Sequence, residues 1–421
     1  MSRQVIFYGA GEHAKKILGK HPKLKITPKP LPLEDGVCFV DSDVKKQGTY
    51  LMGLPVLSIE EALNLYKDAD IYISIGNFED KKTVYKELIK KYGVKWHKIY
   101  GGVRLSCHYL EKFIVCGYHE CAFGGKAGKD CGMHSFKSCC SDYGKNAVAT
   151  VPINGDLSRA FNQFLELRFK TIENINLGIP TKCDNCIELK EIMDDPPNQF
   201  YYLIYNELGI CNSKCCYCNY EERLGRDVSL DVDFIELMKL VNEYGFDKEG
   251  IVELCNGEIT INPHKQEIYS LLRDKRVMFL TNGLVYDEFI QKKLLDATGI
   301  INISLDCGTR ETFIKVKGID GYNRVINNLK KYSSGKKGIF NIKYIVLPTI
   351  NDNIKDIDNF IQLCLELKVD SVHISHNLCL SYKDYNNQQT IDAVKYFIER
   401  LKKNSLPYEL YSKNIIEKLL Y

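Results

Sequence analysis

The chain has 421 residues, 45% of them hydrophobic and 26% charged, with 57 basic against 54 acidic side chains and a formal net charge of +3. That length suits two or three domains with sizeable cores, and charges of both signs interspersed along it argue against a dedicated nucleic-acid surface. No run of about 18 apolar residues occurs and Met1-Ser-Arg-Gln4 lacks a signal peptide's apolar stretch, so a soluble, cytoplasmic protein with no membrane partner is expected.

Seventeen cysteines, twelve of them between Cys107 and Cys218, point in such a chain to bound metal rather than disulfides. Iron and sulfur would in turn imply a reducing, anaerobic setting.

Residues 1–105 form the first predicted unit. Gln4-Val-Ile-Phe-Tyr-Gly9-Ala-Gly11-Glu-His-Ala14 reads as a strand, a glycine turn and a helix start, and approximates G-x-G-x-x-A. Glycines there let the backbone approach a phosphate at the helix N-terminus. Val37 to Asp41 is a second strand with an acid at its tip, and Asp70 to Gly76 is a later strand of the same parallel sheet. Gly9, Gly11 and Asp41 are the candidate ligand contacts, with Asp41 somewhat beyond the spacing of the dinucleotide fingerprint. Together with Gly53-Leu-Pro-Val-Leu-Ser-Ile-Glu-Glu-Ala62, this segment resembles the small Rossmann-like domains found before sugar-modifying transferases. The resemblance implies NAD, a nucleotide sugar or no ligand. No Tyr-x-x-x-Lys or similar hydride-transfer set accompanies it, so a substrate-presenting or oligomerising module is expected rather than a dehydrogenase.

Residues 106–198 are a cysteine-rich segment. Cys107, Cys116, Cys121, Cys131, Cys139 and Cys140 precede Gly178-Ile-Pro-Thr-Lys-Cys183-Asp-Asn-Cys186. A metal site here would draw on Cys183 and Cys186, with Cys139 or Cys140 and one of Cys121 or Cys131. C-x2-C suits zinc as well as iron. Gly124-Gly-Lys-Ala-Gly-Lys129 has the wrong spacing for a phosphate loop and reads as a turn.

From residue 199 the pattern becomes regular. The apolar stretch Phe200 to Leu208 runs into Gly209-Ile-Cys211-Asn-Ser-Lys-Cys215-Cys-Tyr217-Cys218-Asn219, a C-x3-C-x2-C loop. Three thiolates so close can hold three irons of a 4Fe-4S cube and leave the fourth open. A ferredoxin site would continue to a further Cys followed by Pro, and zinc is usually held by two paired arms. Five further strands follow: Gly250 to Asn256, Val277 to Gly283, Ile300 to Asp306, Phe340 to Pro348 and Ser371 to Ser375. Helical spacing marks Leu230 to Tyr244, Lys265 to Arg273, Tyr286 to Ala297, Tyr322 to Tyr332 and Ile354 to Leu367. Alternation of this kind predicts an α/β fold, a partial (β/α)6 TIM-type barrel over 199–385, with its active site at the C-terminal strand ends. A C-terminal α/β extension is expected over 386–421.

With Tyr217 as the aromatic before the last cysteine, the loop resembles that of the radical S-adenosylmethionine (radical SAM) enzymes. The resemblance implies a 4Fe-4S cluster on Cys211, Cys215 and Cys218 whose open iron chelates SAM, with Tyr217 packed on adenine. Asn256-Gly257-Glu258-Ile259 resembles the family's Gly-Gly-Glu-Pro motif at the SAM ammonium, with Asn and Ile in place of the first Gly and the Pro. Thr281 and Asn282 end the third strand as relatives often do. Ser304 and Asp306, two apart on one strand, should share a face and reach the SAM carboxylate or ribose. Asn351 completes the implied SAM contacts. The Cys183 region resembles the SPASM or twitch segments that hold an auxiliary 4Fe-4S cluster, here placed before the barrel.

Such enzymes reductively cleave SAM to a 5'-deoxyadenosyl radical that takes hydrogen from an unactivated carbon. The implied substrate is a sugar, a nucleotide-linked metabolite, another small molecule or a peptide, oxidised or epimerised. The implied electron donor is a flavodoxin or ferredoxin. Cys307 at the fourth strand end, or Cys255 in the second strand, could return a hydrogen atom, although either also reads as a small buried hydrophobe. The alternative is a noncatalytic, nucleotide-binding iron-sulfur protein with a degenerate barrel.

Overall fold

The computed structural model describes residues 4–20, 35–118, 134–138, 150–153, 155–184, 186, 188–193, 199–206, 208, 210–218, 233–255, 257–377, 380–411 and 413–420. They divide into two compact units, Met1–Phe113 with Lys137–Val151 and Arg159–Phe200, and Ile114–Phe136 with Pro152–Ser158 and Tyr201–Tyr421.

The first unit is built on β1 (Val5–Tyr8), α1 (Glu12–Lys20), β2 (Gly36–Val40), β3 (Tyr50–Leu51), β4 (Leu54–Leu57), α2 (Ile59–Leu65), β5 (Asp70–Ile73), α3 (Phe78–Lys90) and β6 (Ile99–Tyr100). Its sheet runs β3-β4-β2-β1-β5-β6. β1 pairs in parallel with β2 on one side and β5 on the other, so the winding direction reverses there, as in doubly wound sheets. All four residues of β1 are buried, because the sheet is covered on both faces. Ile6 and Tyr8 feed one core with Trp96, while Val5 and Phe7 feed the other with Ala14 and Phe39.

Residues 104–192 contribute β7 (Arg104–Ser106), α4 (His108–Lys112), β8 (Phe113–Tyr118), β9 (His134–Lys137), β10 (Thr150–Pro152), α5 (Leu157–Leu177) and β11 (Lys190–Ile192). The strands of the expected segment 106–198 join two different sheets. β11 pairs with β7, whereas β8 to β10 extend the large sheet of the barrel in the order β10-β9-β8-β12. The apolar run Phe113-Ile-Val-Cys116 carried the strand, and a reading led by cysteine spacing passed over it.

The barrel elements are β12 (Phe200–Asn206), α6 (Phe234–Tyr244), β13 (Phe246–Leu254), α7 (Lys265–Leu271), β14 (Arg276–Thr281), α8 (Glu288–Leu295), β15 (Gly299–Ser304), α9 (Arg310–Lys317), α10 (Tyr322–Ser333), β16 (Ile339–Val346), α11 (Ile354–Leu367), β17 (Ser371–His376), α12 (Tyr382–Tyr385), α13 (Gln388–Lys403), β18 (Tyr408–Leu410) and α14 (Lys413–Leu420). β12 to β18 neighbour one another in sequence order, and β13 to β18 pair in parallel. Strands laid down in order with intervening helices give an open, partial TIM-type barrel.

Aromatic contacts identify its outer face. Phe279 of β14 meets Tyr269 and Phe289, and Tyr344 of β16 meets Phe360 and Phe397 from the helices. By strand alternation Met278, Leu280, Asn341, Lys343 and Ile345 line the lumen. The expected six strands become seven. β18 pairs with β17, so within residues 386–421 the expected α/β extension adds a strand to the barrel sheet. Three residues are too few for a legible strand pattern.

Candidate active site

The cysteine loop after β12 is tied to the ends of its neighbours. The Glu258 amide donates to the Ile210 carbonyl at 2.6 Å, the Lys214 amide to Lys317 at 2.9 Å and the Cys216 amide to Val316 at 2.9 Å. The last two acceptors are terminal carbonyls of α9, which lack partners inside the helix. Gly318 ends α9 in the left-handed region at φ 66°, and a Cβ there would lie 2.5 Å from the Lys214 carbonyl oxygen. Only glycine lets the loop seat this closely. Cys211 and Cys215 are half-buried and Cys218 is exposed, and the Cys218 amide closes a turn onto Cys215 at 3.0 Å.

Beneath the loop, Asp306 gathers a buried hub. The Tyr217 hydroxyl donates to its Oδ2 at 2.6 Å, Lys317 Nζ donates to the same oxygen at 2.5 Å, and the Ile345 amide donates to Oδ1 at 2.8 Å. Lys317 Nζ also donates to the Tyr217 oxygen at 2.9 Å. Burial and the Asp306 charge push the Tyr217 hydroxyl well above its usual range, so it stays protonated. For Lys317, burial is the largest influence and pulls downward. Asp306 and Cys215 more than offset it, and the ammonium is held above its ordinary value.

A second support runs through Glu258. Its carboxylate accepts from the Thr260 and Thr281 hydroxyls, each at 2.8 Å to Oε1, and from the Asn282 amide at 2.8 Å. Asn282 Nδ2 then donates to Asn212 Oδ1 at 2.7 Å and approaches Cys211 Sγ at 3.6 Å. Glu258 therefore positions the residue that supports a cysteine, as outer partners do around metal ligands.

The expected SAM-contact residues occupy these positions as follows. Glu258, Thr281, Asp306 and Asn351 are 1%, 3%, 0% and 0% exposed, and their polar side-chain atoms are engaged inside the protein. Asn351, for example, accepts from the Leu347 amide and donates to the Asp306 and Ile345 carbonyls. Each of the four helps to hold the strand ends and loops around the site. Asp306 also leaves the strand pattern: β15 ends at Ser304, and Asp306 has φ 59°, so the two do not share a face by alternation. Cys307 is fully buried among Asp356, Lys317 and Tyr322, not open at the rim, and burial raises its thiol well above the usual range.

Tyr217 and Ser304 are half-buried, and Gly257, at φ 153°, opens the turn after β13. Asn256 lies outside the described residues. Cys255 follows β13 and approaches Asn206 Oδ1 at 3.4 Å. It shares a polar lumen floor with Tyr202, whose hydroxyl donates to Glu253 at 2.7 Å and lies 3.4 Å from Met278 Sδ. Sequence reading missed α9 and with it Lys317. The signal was present as a Thr309 cap, eight helix-compatible residues and a terminal Gly318.

In the first unit, Gly9 adopts φ 109° and a Cβ there would meet Ile75 at 2.9 Å, while Gly11 lines an open cleft of about 360 Å³ with Lys15, Lys46 and Tyr50. Asp41 is tied into the glycine turn. Its carboxylate accepts from the glycine-turn amide of Ala10 at 3.0 Å, from the Asp43 amide at 2.9 Å and from Lys46 Nζ at 2.8 Å. Burial acts to raise its pKa, but Lys46 and the two amides prevail and hold it below the usual aspartate value. A depressed acid contributes stability above its unfolded pKa and loses that contribution as pH falls through the folded value. Asp41→Asn is expected to cost about 1–2 kcal/mol at pH 7, with the gap closing below about pH 4. Trp96, the sole tryptophan and buried in this unit, reports the transition in urea.

Cys183 lies in the apolar core containing Trp96, and the half-buried Cys186 donates its amide to the Cys183 carbonyl at 2.9 Å. Cys121, Cys131, Cys139 and Cys140 lie outside the described residues. Among the described residues, no three His, Cys, Asp or Glu side chains converge on a single ion position, and no helix is long and apolar enough to cross a membrane. For the loop of Cys211, Cys215 and Cys218, three thiol donors with an amide already directed at one sulfur suit a soft iron-sulfur cluster better than a hard cation.

The chain is similar to several known proteins. A relative from Saccharolobus islandicus named "Probable GTP 3',8-cyclase" is 28% identical over 198 residues, 46% of this chain and 62% of the relative. A Sulfurisphaera tokodaii protein of the same name is 26% identical over 211 residues, 49% of this chain and 64% of its own. The chain thus spans about three fifths of the length of these relatives. Streptococcus suis SuiB bound to the precursor peptide SuiA superposes with TM-score 0.43 at 15% identity, covering 62% of this chain and 56% of that one. The model of the Radical SAM superfamily matches from the last residue of β12 into α11, the stretch that holds the cysteine loop and its supports, and residues 206–364 of this chain are a Radical SAM domain.

Proposed function

We propose that this chain is a radical SAM enzyme whose cluster is held by Cys211, Cys215 and Cys218, and whose substrate is a nucleotide-linked or sugar metabolite lodged in the barrel lumen. The observation that carries the reading is the loop itself, seated on α9 and supported at Cys211 by Asn282. When bound, the cluster and SAM supply one-electron cleavage of a carbon-sulfur bond and removal of hydrogen from an unactivated carbon.

The chain's own residues then have defined tasks. Asp306 and Lys317 fix the Tyr217 hydroxyl, leaving its ring to flank the adenine of SAM. The Gly257 backbone and Ser304 remain for the methionine end. The apolar side chains of Val316, Ile345, Leu347 and Ile350 around Tyr217 exclude water. In the lumen, burial raises the Glu253 carboxyl, and the Cys255 thiol beside it is the chain's own hydrogen-atom donor for an epimerisation, its thiyl radical then regaining the thiol with one electron from the flavodoxin or ferredoxin donor and a proton, with oxidation as the other outcome.

The relatives' name supports a nucleotide-linked substrate, and the doubly wound first unit supports a nucleotide sugar or NAD as a presented ligand. An auxiliary cluster drawing on Cys183 and Cys186 and a flavodoxin or ferredoxin donor complete the proposal. Anaerobic reconstitution with iron and sulfide, followed by dithionite and SAM, should yield 5'-deoxyadenosine. A reconstituted protein that binds iron yet releases none, and whose electron paramagnetic resonance ignores SAM, would leave only the noncatalytic alternative.

A further inference from the structure

The lumen face of β15 to β17 carries polar groups that the site above does not use. Parallel register places Asn302, Asn341 and Ser371 in one row, Ser304, Lys343 and His373 in the next, and Ile345 beside Ser375. Asn341 Nδ2 donates to Asn302 Oδ1 at 3.0 Å, which leaves Asn341 Oδ1 buried with no donor among the described residues. Ser371 Oγ and Ser375 Oγ are likewise buried and unbonded. The Lys343 ammonium makes no hydrogen bond or ion pair among the described residues.

Burial pulls the Lys343 pKa down, and the nearby Asp306 and Glu253 charges favour its ammonium without bonding it. Asp306 is committed to Lys317, and Glu253 is bonded to Tyr202 with its carboxyl pushed upward by burial. His373 is held on its neutral side by burial, and its 3.8 Å neighbour Glu409 is largely exposed. A buried polar group without a partner destabilises the fold, and the half-buried Lys343 ammonium has no bonded counter-charge. Such groups normally find partners, so a row of them facing one chamber points to a ligand.

We propose that Lys343, Asn341, Ser371 and Ser375 anchor the substrate, Lys343 taking an anionic group and the amide and hydroxyls taking the adjoining sugar or polyol hydroxyls. Residues two apart on a strand are separated by about 6.6 Å and adjacent strands by about 4.8 Å. The four groups therefore frame a strip of roughly 13 by 5 Å, the scale of a sugar phosphate or sugar acid rather than a lone ion. The proposal rests on the lumen being the substrate chamber, but its test needs neither SAM nor cluster.

Calorimetric titration of the full chain with glucose 6-phosphate, gluconate and glucose distinguishes phosphate from carboxylate. One charged probe should bind at least tenfold more tightly than glucose, and whichever is tighter names the anion. Lys343→Met should weaken that probe at least tenfold, while Lys343→Arg stays within about threefold of the parent. Ser371→Ala with Ser375→Ala, which removes two unbonded hydroxyls and no charge, should weaken the probe severalfold and serves if the lysine variant does not fold. Charged probes binding no better than glucose, or unchanged affinity in these variants, would overturn the assignment. Because the titration is independent of 5'-deoxyadenosine release, its failure and that of the radical reading are told apart.

Discussion

Alanine in place of Cys211, Cys215 or Cys218, one at a time, should abolish 5'-deoxyadenosine release and strip the reconstituted protein of most of its iron at that loop. The adjacent Cys216 gives the contrast. What the fold uses there is the backbone amide, donated to Val316, and alanine retains it. Cys216→Ala should therefore keep both iron and turnover within a fewfold of the parent. Asn282→Ala stands between these extremes, since it removes the donor directed at Cys211 Sγ but no ligand. Loss of such a supporting partner typically costs about 10–100-fold, and loss of a ligand should exceed that. Iron and sulfide content, visible absorption and chromatography of the product give the ranking. Iron retained in full by Cys218→Ala, or lost from Cys216→Ala, would mean that a different trio holds the cluster.

Much of this site was legible in the chain because it is local. The cysteine spacing, the Thr281-Asn282-Gly283 strand end and the Ser304-Leu-Asp306 run each lie within a few residues, and periodicity alone arranged five of the intervening helices. The roles of the individual side chains were less legible, because they are set by partners distant in sequence. Asp306 reads as an open rim acid until Tyr217, 89 positions away, and Lys317 close it off. Asn351 looked like a contact because of its place beyond a strand, yet three backbone groups occupy its amide. Lys343 was readable in principle. It alternates with Ile342 and Tyr344 in a strand whose other face carries Phe340, Ile342, Tyr344 and Val346, and a charge on the opposite face of a barrel strand belongs to the lumen. Cysteine spacing in residues 106–198 says nothing about strand pairing, which only the structure supplies.

The Asp306–Lys317 pair carries the second large effect. Lys317→Met should lower the stability of the barrel by about 3–5 kcal/mol, because it leaves the 0% exposed Asp306 carboxylate without its cation while the Ile345 amide and Tyr217 cannot neutralise it. The ammonium is held above its ordinary value, so its contribution is complete below the unfolded lysine pKa and disappears only as pH climbs past the folded one. The deficit of Lys317→Met should accordingly stay flat from about pH 6 to pH 9. Asp306→Asn in the same chain removes the stranded charge, so the double variant should recover a large part of the loss. A strictly additive cycle would show that the two groups do not act as a pair. Stability alone would not tie this pair to the cysteine loop. Amide exchange does: the Lys214 and Cys216 amides rest on the last carbonyls of α9, and Lys317 and Tyr217 clamp that junction from below. In Lys317→Met these two amides should exchange faster by more than the global loss predicts, whereas those in the middle of β14 should follow it. If both sets moved together, the hub would be a core ion pair that merely lies near the loop, and Tyr217 would need another explanation for its fixed hydroxyl.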